Sequence, residues 1–217
     1  LSAQNRVLAR ELTELPPAFN AKGARVVVIG GGDTGSDCVG TARRQGAREV
    51  TQLEIMPKPP ETRASTNPWP EWPRVLKTTS SHEEGVDRLW AVSTVGFVPA
   101  TGDLTRVGQI HCQKVKWLEE NGRLIRPEPV AGSDFNQPAD LVLLALGFTG
   151  VESGSLISDL DLSPDQRGCL PRDAAGRLAP RVYTCGDAAL GPSLVVRAMA
   201  DGLSVAQTVL SDLADKI

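Results

Sequence analysis

A glycine-rich turn between a strand and a helix is the feature that most constrains what this sequence can form. The β-branched run at residues 25–30 ("RVVVIG") predicts a strand buried on both faces of a parallel sheet. The motif G-x-G-x-x-G occupies residues 30–35, and the pattern that follows predicts a helix over 33–46. A second strand is predicted over 49–55, which completes a β-α-β unit. The sequence therefore predicts an α/β fold.

Each glycine of the motif has its own predicted role in binding a pyrophosphate. Gly30 permits a tight turn, Gly32 lets the ligand approach the backbone, and Gly35 lets the helix pack closely on the strand. The helix start offers unpaired N–H groups and the positive end of the helix dipole. The fold class is therefore predicted to be Rossmann-like. The candidate binding residues of this turn are Gly30, Gly31, Gly32, Asp33, Thr34 and Gly35.

Two charged residues bear on which dinucleotide would bind. Glu54 ends the second strand about twenty residues after Gly35, the offset of an acid that contacts the adenosine ribose. Its carboxylate would repel a 2′-phosphate, which favours NADH over NADPH. Arg63, in the following loop, is the opposing candidate because it can bind a 2′-phosphate. A site for a methionine-derived methyl donor and a glycine turn without a nucleotide stay open as alternatives.

The rest of the chain predicts further elements around this unit. Residues 56–73 are rich in proline and are predicted to form an ordered loop, because Trp69 and Trp72 argue against disorder. Three strands within 88–130 are predicted to form an antiparallel meander. The other predictions are an amphipathic helix over 2–15, a strand over 139–148, two short strands within 168–187 and a final helix over about 193–214.

A second motif stands near the end of the chain. A short strand there runs into Gly186-Asp187 and then into a Gly-Pro-Ser turn before the last helix. This order places a carboxylate beside a helix N-terminus, which suits a ligand with both hydroxyls and a phosphate. Asp187 or Ser193 as a plain helix cap is the competing interpretation.

Composition excludes several classes of partner and site. The net charge of −3 does not indicate a basic surface that would bind nucleic acid or an anionic membrane. No apolar run is long enough to span a bilayer. The four cysteines never form C-x-x-C, and the two histidines lack partners at metal-ligand spacing. No metal site is therefore predicted. Free thiols are consistent with a reducing compartment, so a cytoplasmic protein is expected.

Four segments together resemble one known family. They carry the glycine loop, the proline-tryptophan loop, the strand "ADLVLLALGF" and the motif "GDAALGPS", and they lie at residues 26–46, 50–75, 139–148 and 182–202. They are similar to the small (beta) subunit of glutamate synthase. The resemblance implies two dinucleotide-binding domains of the glutathione-reductase kind, the nicotinamide domain being inserted into the FAD domain.

The resemblance also implies how this chain divides. Residues 1–20 would be a connecting helix from the FAD domain, residues 21–148 the NAD(P)H-binding domain with its β-meander, and residues 149–217 the C-terminal part of the FAD domain. Gly147 would lie where the cofactor approaches the backbone. In the flavin part, Asp187 would hold a ribitol hydroxyl and the helix start would face the flavin pyrimidine edge. The residues implied for that part are Gly186, Asp187, Ser193, Leu194 and Val195.

In that family a hydride passes from NAD(P)H to FAD, and the electrons then cross iron–sulfur clusters to the large subunit, which makes glutamate from 2-oxoglutarate and glutamine. The implied partners are the large subunit and the remainder of the chain's own polypeptide, which would carry the 4Fe-4S clusters and the first flavin glycine loop. The chain would then be the C-terminal part of a longer protein and inactive alone.

Hydride transfer to flavin needs no side-chain acid or base, so no catalytic residue is predicted. Two other functions stay open. One is a related flavin-dependent NAD(P)H oxidoreductase that feeds another reductase. The other is a nucleotide-binding module that docks a partner without turnover.

Overall fold

The structure, a computed structural model, describes residues 1–70, 74–120, 122–152 and 154–214. The chain divides into two compact units, Leu1–Gly147 and Phe148–Ile217. Each unit is described by itself.

In its described residues, the first unit contains three helices, a 3-10 turn and eight strands. The helices are α1 (Ser2–Leu8), α2 (Asp33–Arg44) and α3 (Ser80–Glu83), and the 3-10 turn is Pro17–Phe19. The strands are β1 (Arg25–Ile29), β2 (Glu49–Glu54), β3 (Asp87–Trp90), β4 (Val92–Ala100), β5 (Asp103–Glu120), β6 (Arg123–Pro129), β7 (Phe135–Pro138) and β8 (Leu141–Leu144).

A four-stranded parallel sheet forms the centre of this unit, in the order β3-β2-β1-β8. Both faces of β1 are buried. Val26 and Val28 pack with Val39 of α2 on one side, whereas Val27 and Ile29 pack with residues of the second sheet on the other. The predicted β-α-β unit with a strand buried on both faces is therefore confirmed, and it brings the glycine turn to the carboxyl edge of the sheet.

The second sheet is antiparallel and contains β4, β5, β6 and β7. The predicted antiparallel meander is confirmed, but its first strand begins at Val92 and not at residue 88. The run from residue 88 to 98 is divided at Ala91, whose φ is 55°. Asp87–Trp90 lies instead on the edge of the parallel sheet beside β2. The pair β5–β7 was not predicted.

Two other predicted elements were too long. The helix over 2–15 ends at Leu8, because Arg10 takes φ 61° and the amides of Glu11 and Leu12 both donate to the carbonyl of Arg6. The strand over 139–148 ends at Leu144. Local periodicity gave no sign of the reversal at Arg10, because a left-handed conformation is unusual for a residue other than glycine.

The second unit is smaller. It contains α4 (Ser155–Asp159), the antiparallel pair β9 (Arg177–Ala179) and β10 (Val182–Tyr183), α5 (Asp187–Leu190) and the long α6 (Val195–Ala214). The predicted short strands and final helix are confirmed, whereas α4 and α5 were not predicted. None of the helices in the described part of the chain has both the length and the apolar character needed to cross a membrane.

Candidate functional site

Two glycines of the loop are required by the fold itself. Gly30 has φ 120°, and a Cβ there would lie 2.2 Å from the carbonyl oxygen of Ala145. A Cβ on Gly35 would lie 2.2 Å from the carbonyl oxygen of Gly30. The predicted tight turn and close helix packing are therefore present in the structure.

Gly32 is different, because nothing in the protein requires a glycine there. Its φ of −77° is ordinary, and no atom lies within 4 Å of a Cβ built on it. Gly32, Asp33 and Thr34 are all exposed at the start of α2. The first intrahelical bond runs from the Ser36 amide to the Gly32 carbonyl at 3.0 Å, so the amides of residues 33–35 have no partner within the helix. An anion can approach the backbone here.

The Glu54 carboxylate lies against the same loop. Its Oε2 accepts a hydrogen bond of 2.6 Å from the Gly31 amide, and its Oε1 accepts one of 2.9 Å from the Met56 amide. A Cβ on Gly31 would lie 2.3 Å from Oε2, so the glycine leaves the room that this contact needs. Each carboxylate oxygen has a second lone pair and can still accept a ligand hydroxyl.

A groove of about 530 Å³ opens over the glycine loop, within the first unit. Its wall combines the loop and Glu54 with apolar side chains and with four basic ones. The basic residues are Lys58, Arg74, Lys77 and Arg88. Trp90 also lines it, and the Arg88 guanidinium carbon lies 4.7 Å from the centre of the Trp90 ring. The sequence motif did not indicate these residues, because they come from the proline-rich loop, from the segment that follows it and from β3.

The proline-rich loop is held by buried Asn67. Its side-chain oxygen accepts a bond of 2.8 Å from the Arg74 amide, and its carbonyl accepts one of 3.1 Å from Nη1 of Arg63. Arg63 is not among the residues that line the groove. Trp69 is 83% exposed and so does not pin the loop to this chain. Trp72 lies outside the described residues.

A chain of polar side chains supports the loop from behind, and sequence reasoning missed it. The Gln52 amide donates 2.9 Å to the Gly30 carbonyl, and its oxygen lies 3.1 Å from Nε2 of His82. Nδ1 of His82 lies 3.1 Å from the Thr79 amide. Histidine here takes the place of the Glu or Gln of a capping box, so T-x-x-H was the available signal.

The C-terminal motif forms a compact turn in the second unit. Gly186 has φ 60° and its amide donates 2.7 Å to Asp201, which also accepts a bond of 2.6 Å from Arg172. The Arg172 contact, followed by the Gly186 amide, lowers the pKa of Asp201. Asp187 is exposed, and its Oδ1 accepts bonds of 3.2 and 3.3 Å from the amide and hydroxyl of Ser193.

Asp187 also borders a pocket of about 200 Å³ within the second unit. Ser193 is not the cap of α6, because the first bonded amides of the helix, those of Arg197 and Ala198, both donate to the carbonyl of Leu194. Leu194 and Val195 are 47% and 74% exposed. Gly147 has φ 92° with open space around it.

Neither metal ligation nor thiol chemistry is indicated within the described residues. They contain no group of three or more potential ligands that lie together. Cys38, Cys112 and Cys169 are buried and Cys185 is exposed. Burial raises the pKa of Cys112 to about 11, which leaves that thiol protonated and unreactive.

Proteins similar to this chain are named as glutamate synthases, the family that the four sequence segments resemble. The glutamate synthase (NADPH) small chain of Mycobacterium tuberculosis H37Rv is 44% identical over 194 residues, which are 89% of this chain and 38% of that protein. Glutamate synthase (NADH) of Schizosaccharomyces pombe is 38% identical over 200 residues, which are 88% of this chain and 9% of that protein. The resemblance is confirmed. The chain spans well under half the length of either relative.

Solved structures and family profiles agree on the fold. Mycobacterium tuberculosis FprA in complex with NADPH gives a TM-score of 0.64 at 16% identity, over 92% of this chain and 54% of FprA. The predicted Rossmann-like α/β fold class is confirmed. A profile for pyridine nucleotide-disulphide oxidoreductases matches residues 3–202. This chain therefore belongs to the pyridine nucleotide-disulphide oxidoreductase family.

Proposed function

We propose that this chain supplies the NADH-binding unit and part of the FAD-binding unit of a flavin oxidoreductase like the glutamate synthase small chain. The main observation behind the proposal is the loop at Gly32. The backbone there is exposed, the space beside Gly32 is open, and no neighbouring atom would prevent a larger side chain at this position. A pyrophosphate fits that space, because it binds through backbone N–H groups at a helix start. The four basic side chains of the groove add favourable electrostatics for a dianion.

The ribose contact favours NADH. Glu54 is fixed by the amides of Gly31 and Met56, so its carboxylate stands at the loop where the adenosine ribose of a dinucleotide would lie. A 2′-phosphate there would meet a negative charge. Arg63, the opposing candidate, donates to Asn67 and is not among the groove residues. The relatives include proteins named for each of the two cofactors.

The flavin part of the proposal rests on the turn at Gly186. The Asp187 carboxylate is exposed beside a pocket, and it holds Ser193 at the entrance to α6. Asp187 would accept a ribitol hydroxyl, while Ser193, Leu194 and Val195 would face the flavin ring. Gly147 would allow close approach of a cofactor.

FAD, when bound, supplies the hydride acceptor. The residues of this chain contribute position and charge, not proton transfer. Amides of the α2 start hold the pyrophosphate, Glu54 orients the ribose, and the groove cations neutralise phosphate charge.

In the complete protein, electrons would continue through 4Fe-4S clusters to a large subunit that forms glutamate. The support is the similarity to proteins named glutamate synthase. The clusters and the large-subunit contact would involve the remainder of the polypeptide.

A paired substitution tests the proposal. Gly32→Val places a side chain where the pyrophosphate would lie, and the open space around Gly32 allows the fold to tolerate it. Gly96→Val on β4 is the matched control, because that glycine also has open space and no left-handed backbone. Fluorescence titration with NADH should show about a hundredfold loss of affinity for Gly32→Val and no change for Gly96→Val. Equal binding by all three proteins would refute the proposal.

A further inference from the structure

A row of buried polar side chains lies against the glycine loop, and two of its members, Ser36 and His82, also border the groove. Gln52 is 2% exposed, Ser36 is 5% exposed and His82 is 8% exposed. They come from β2, α2 and α3, which meet at this point. Buried polar groups are costly unless they are hydrogen-bonded, so the row has to be satisfied internally.

Two backbone groups, the Thr79 amide and the Gly30 carbonyl, fix the direction of the bonds that run between them through His82 and Gln52. The Thr79 amide can only donate, so Nδ1 of His82 accepts and the ring proton is on Nε2. That Nε2–H then donates to the Gln52 oxygen. The Gln52 nitrogen is left to donate to the carbonyl of Gly30, which can only accept. This sequence of bonds requires the neutral Nε2–H tautomer of His82.

The row is joined to both sides of the phosphate loop. Gly30 is the loop residue with φ 120°, and its carbonyl is the acceptor for Gln52. A Cβ on Gly35 would lie 2.8 Å from the Gln52 nitrogen, so that glycine also leaves room for the amide. On the far side, the hydroxyls of Ser36 and Thr79 lie 2.5 Å apart, which links the first turn of α2 to the start of α3.

We propose that His82 is a positioning residue for the glycine loop, and that only its neutral form holds the loop in the shape that binds the pyrophosphate of the dinucleotide. This rests on the proposed function of the loop. Protonation places an N–H on Nδ1 directly opposite the Thr79 amide, so that two donors face each other. The bond from the Thr79 amide is lost, and the Thr79 hydroxyl, 3.2 Å from Nδ1, is left as the acceptor for the new N–H. The ring must shift toward that hydroxyl, and the shift is passed through Gln52 to Gly30.

The surroundings of His82 favour the neutral form. Burial lowers its pKa, and the positive charge of Arg88 on β3 lowers it further. Gln52 of β2, which bonds to the ring, and Ser36 of α2, which bonds to Thr79, carry no charge. Of the other charged residues on these neighbouring segments, Arg43 and Glu54 are half-buried, whereas Arg44, Glu83, Glu84 and Asp87 are exposed.

The lowered pKa of His82 sets how stability depends on pH. The unfolded chain takes up the proton near the usual pKa of about 6.5, above the folded value. The stabilising contribution of neutral His82 is therefore complete above about pH 6.5 and is lost as the pH falls through the lowered pKa. Dinucleotide affinity should fall over the same range.

The first measurement needs no ligand. The chain has two histidines, and the second, His111, is 40% exposed on β5 with its Nε2 3.2 Å from Asp134. His111→Asn therefore leaves a single imidazole to observe by NMR. We expect its nitrogen shifts to report the Nε2–H tautomer and a titration midpoint below about 6.5. A predominant Nδ1–H tautomer would overturn the proposal.

The second measurement follows binding of ADP-ribose, which survives acid, from about pH 7.5 to about pH 5. Affinity of the wild type and of His111→Asn should fall about threefold or more across this range. His82→Gln keeps an acceptor for the Thr79 amide without a titrating group, so its affinity should change less than about twofold. Titration calorimetry measures the affinity of all three proteins for ADP-ribose at each pH.

The outcomes separate this inference from the proposed function. If the wild type binds ADP-ribose and His82→Gln keeps the full acid sensitivity, His82 does not gate the loop. If the wild type fails to bind at any pH, the dinucleotide site itself is wrong and the inference falls with it.

Discussion

The Glu54 carboxylate and the Gly31 amide are joined by a hydrogen bond of 2.6 Å across the start of the candidate site. This contact joins the acid at the end of β2 to the glycine loop at the end of β1. In the proposed complex, a negative charge held there would select against a second negative group on the ribose.

We predict that Glu54→Gln narrows the preference for NADH over NADPH. Removing the charge removes about 1 kcal/mol of repulsion toward the 2′-phosphate, which is about fivefold in relative affinity. Glu49→Gln is the control, because Glu49 starts the same strand at the opposite edge and is exposed. Parallel titrations with NADH and NADPH give the ratio of the two affinities for each protein. A wild type that prefers NADPH tenfold would show that Glu54 does not set the choice.

Gly35→Ala should damage the fold, in contrast to substitution at Gly32. The new Cβ would lie 2.2 Å from the Gly30 carbonyl oxygen, and neither backbone segment can move without disturbing β1. We expect a loss of at least about 2 kcal/mol in the free energy of unfolding, measured by urea denaturation. Unchanged stability would mean that α2 does not pack on the loop as described.

The pairing of Arg25 with Asp140 should make stability fall in acid. Hydrogen bonds from the Arg25 side chain, and secondly from its amide, lower the pKa of Asp140 to about 2. Because the folded pKa lies below the usual value of about 3.9, the contribution is complete above about pH 4 and is lost toward about pH 2.

Asp140→Asn should therefore cost about 1 kcal/mol at neutral pH, because solvent screens this part-exposed pair, and the difference from wild type should shrink as the pH falls toward 2. Urea unfolding of both proteins at several pH values measures this difference in the free energy of unfolding. A difference that is constant with pH would assign the effect to packing and not to charge.

The chain expressed alone should be colourless. Its one G-x-G-x-x-G, at residues 30–35, is assigned to the pyridine nucleotide, so no second loop of this kind is available for a flavin pyrophosphate. The visible absorption spectrum of the purified protein is the measurement. Stoichiometric bound flavin would show that the turn at Asp187 holds FAD without such a loop.

Much of this fold was predictable because its strongest signals are local. The buried run of β1, the glycine turn and α2 follow one another without a gap, and each confirms the next. The assignment of β3 failed because Ala91 takes a left-handed conformation that favours glycine, and alanine gives no sign of it.

The groove and its support were less predictable. The Arg88 and His82 side chains reach the loop through the parallel pairing of β2 with β3 and the packing of α3, which are contacts between distant residues. Spacing along a chain carries no direct signal for such contacts. The one local hint for His82, the capping-box position after Thr79, is typical of a structural role and not of a site.

The central claim is that a pyridine dinucleotide binds at the turn from Gly30 to Gly35. The most direct measurement is a crystal structure of this chain grown with NADH. We predict that the pyrophosphate lies over Gly32 against the amides of residues 33–35, with the adenosine ribose at Glu54. An empty glycine turn at saturating NADH would contradict the account.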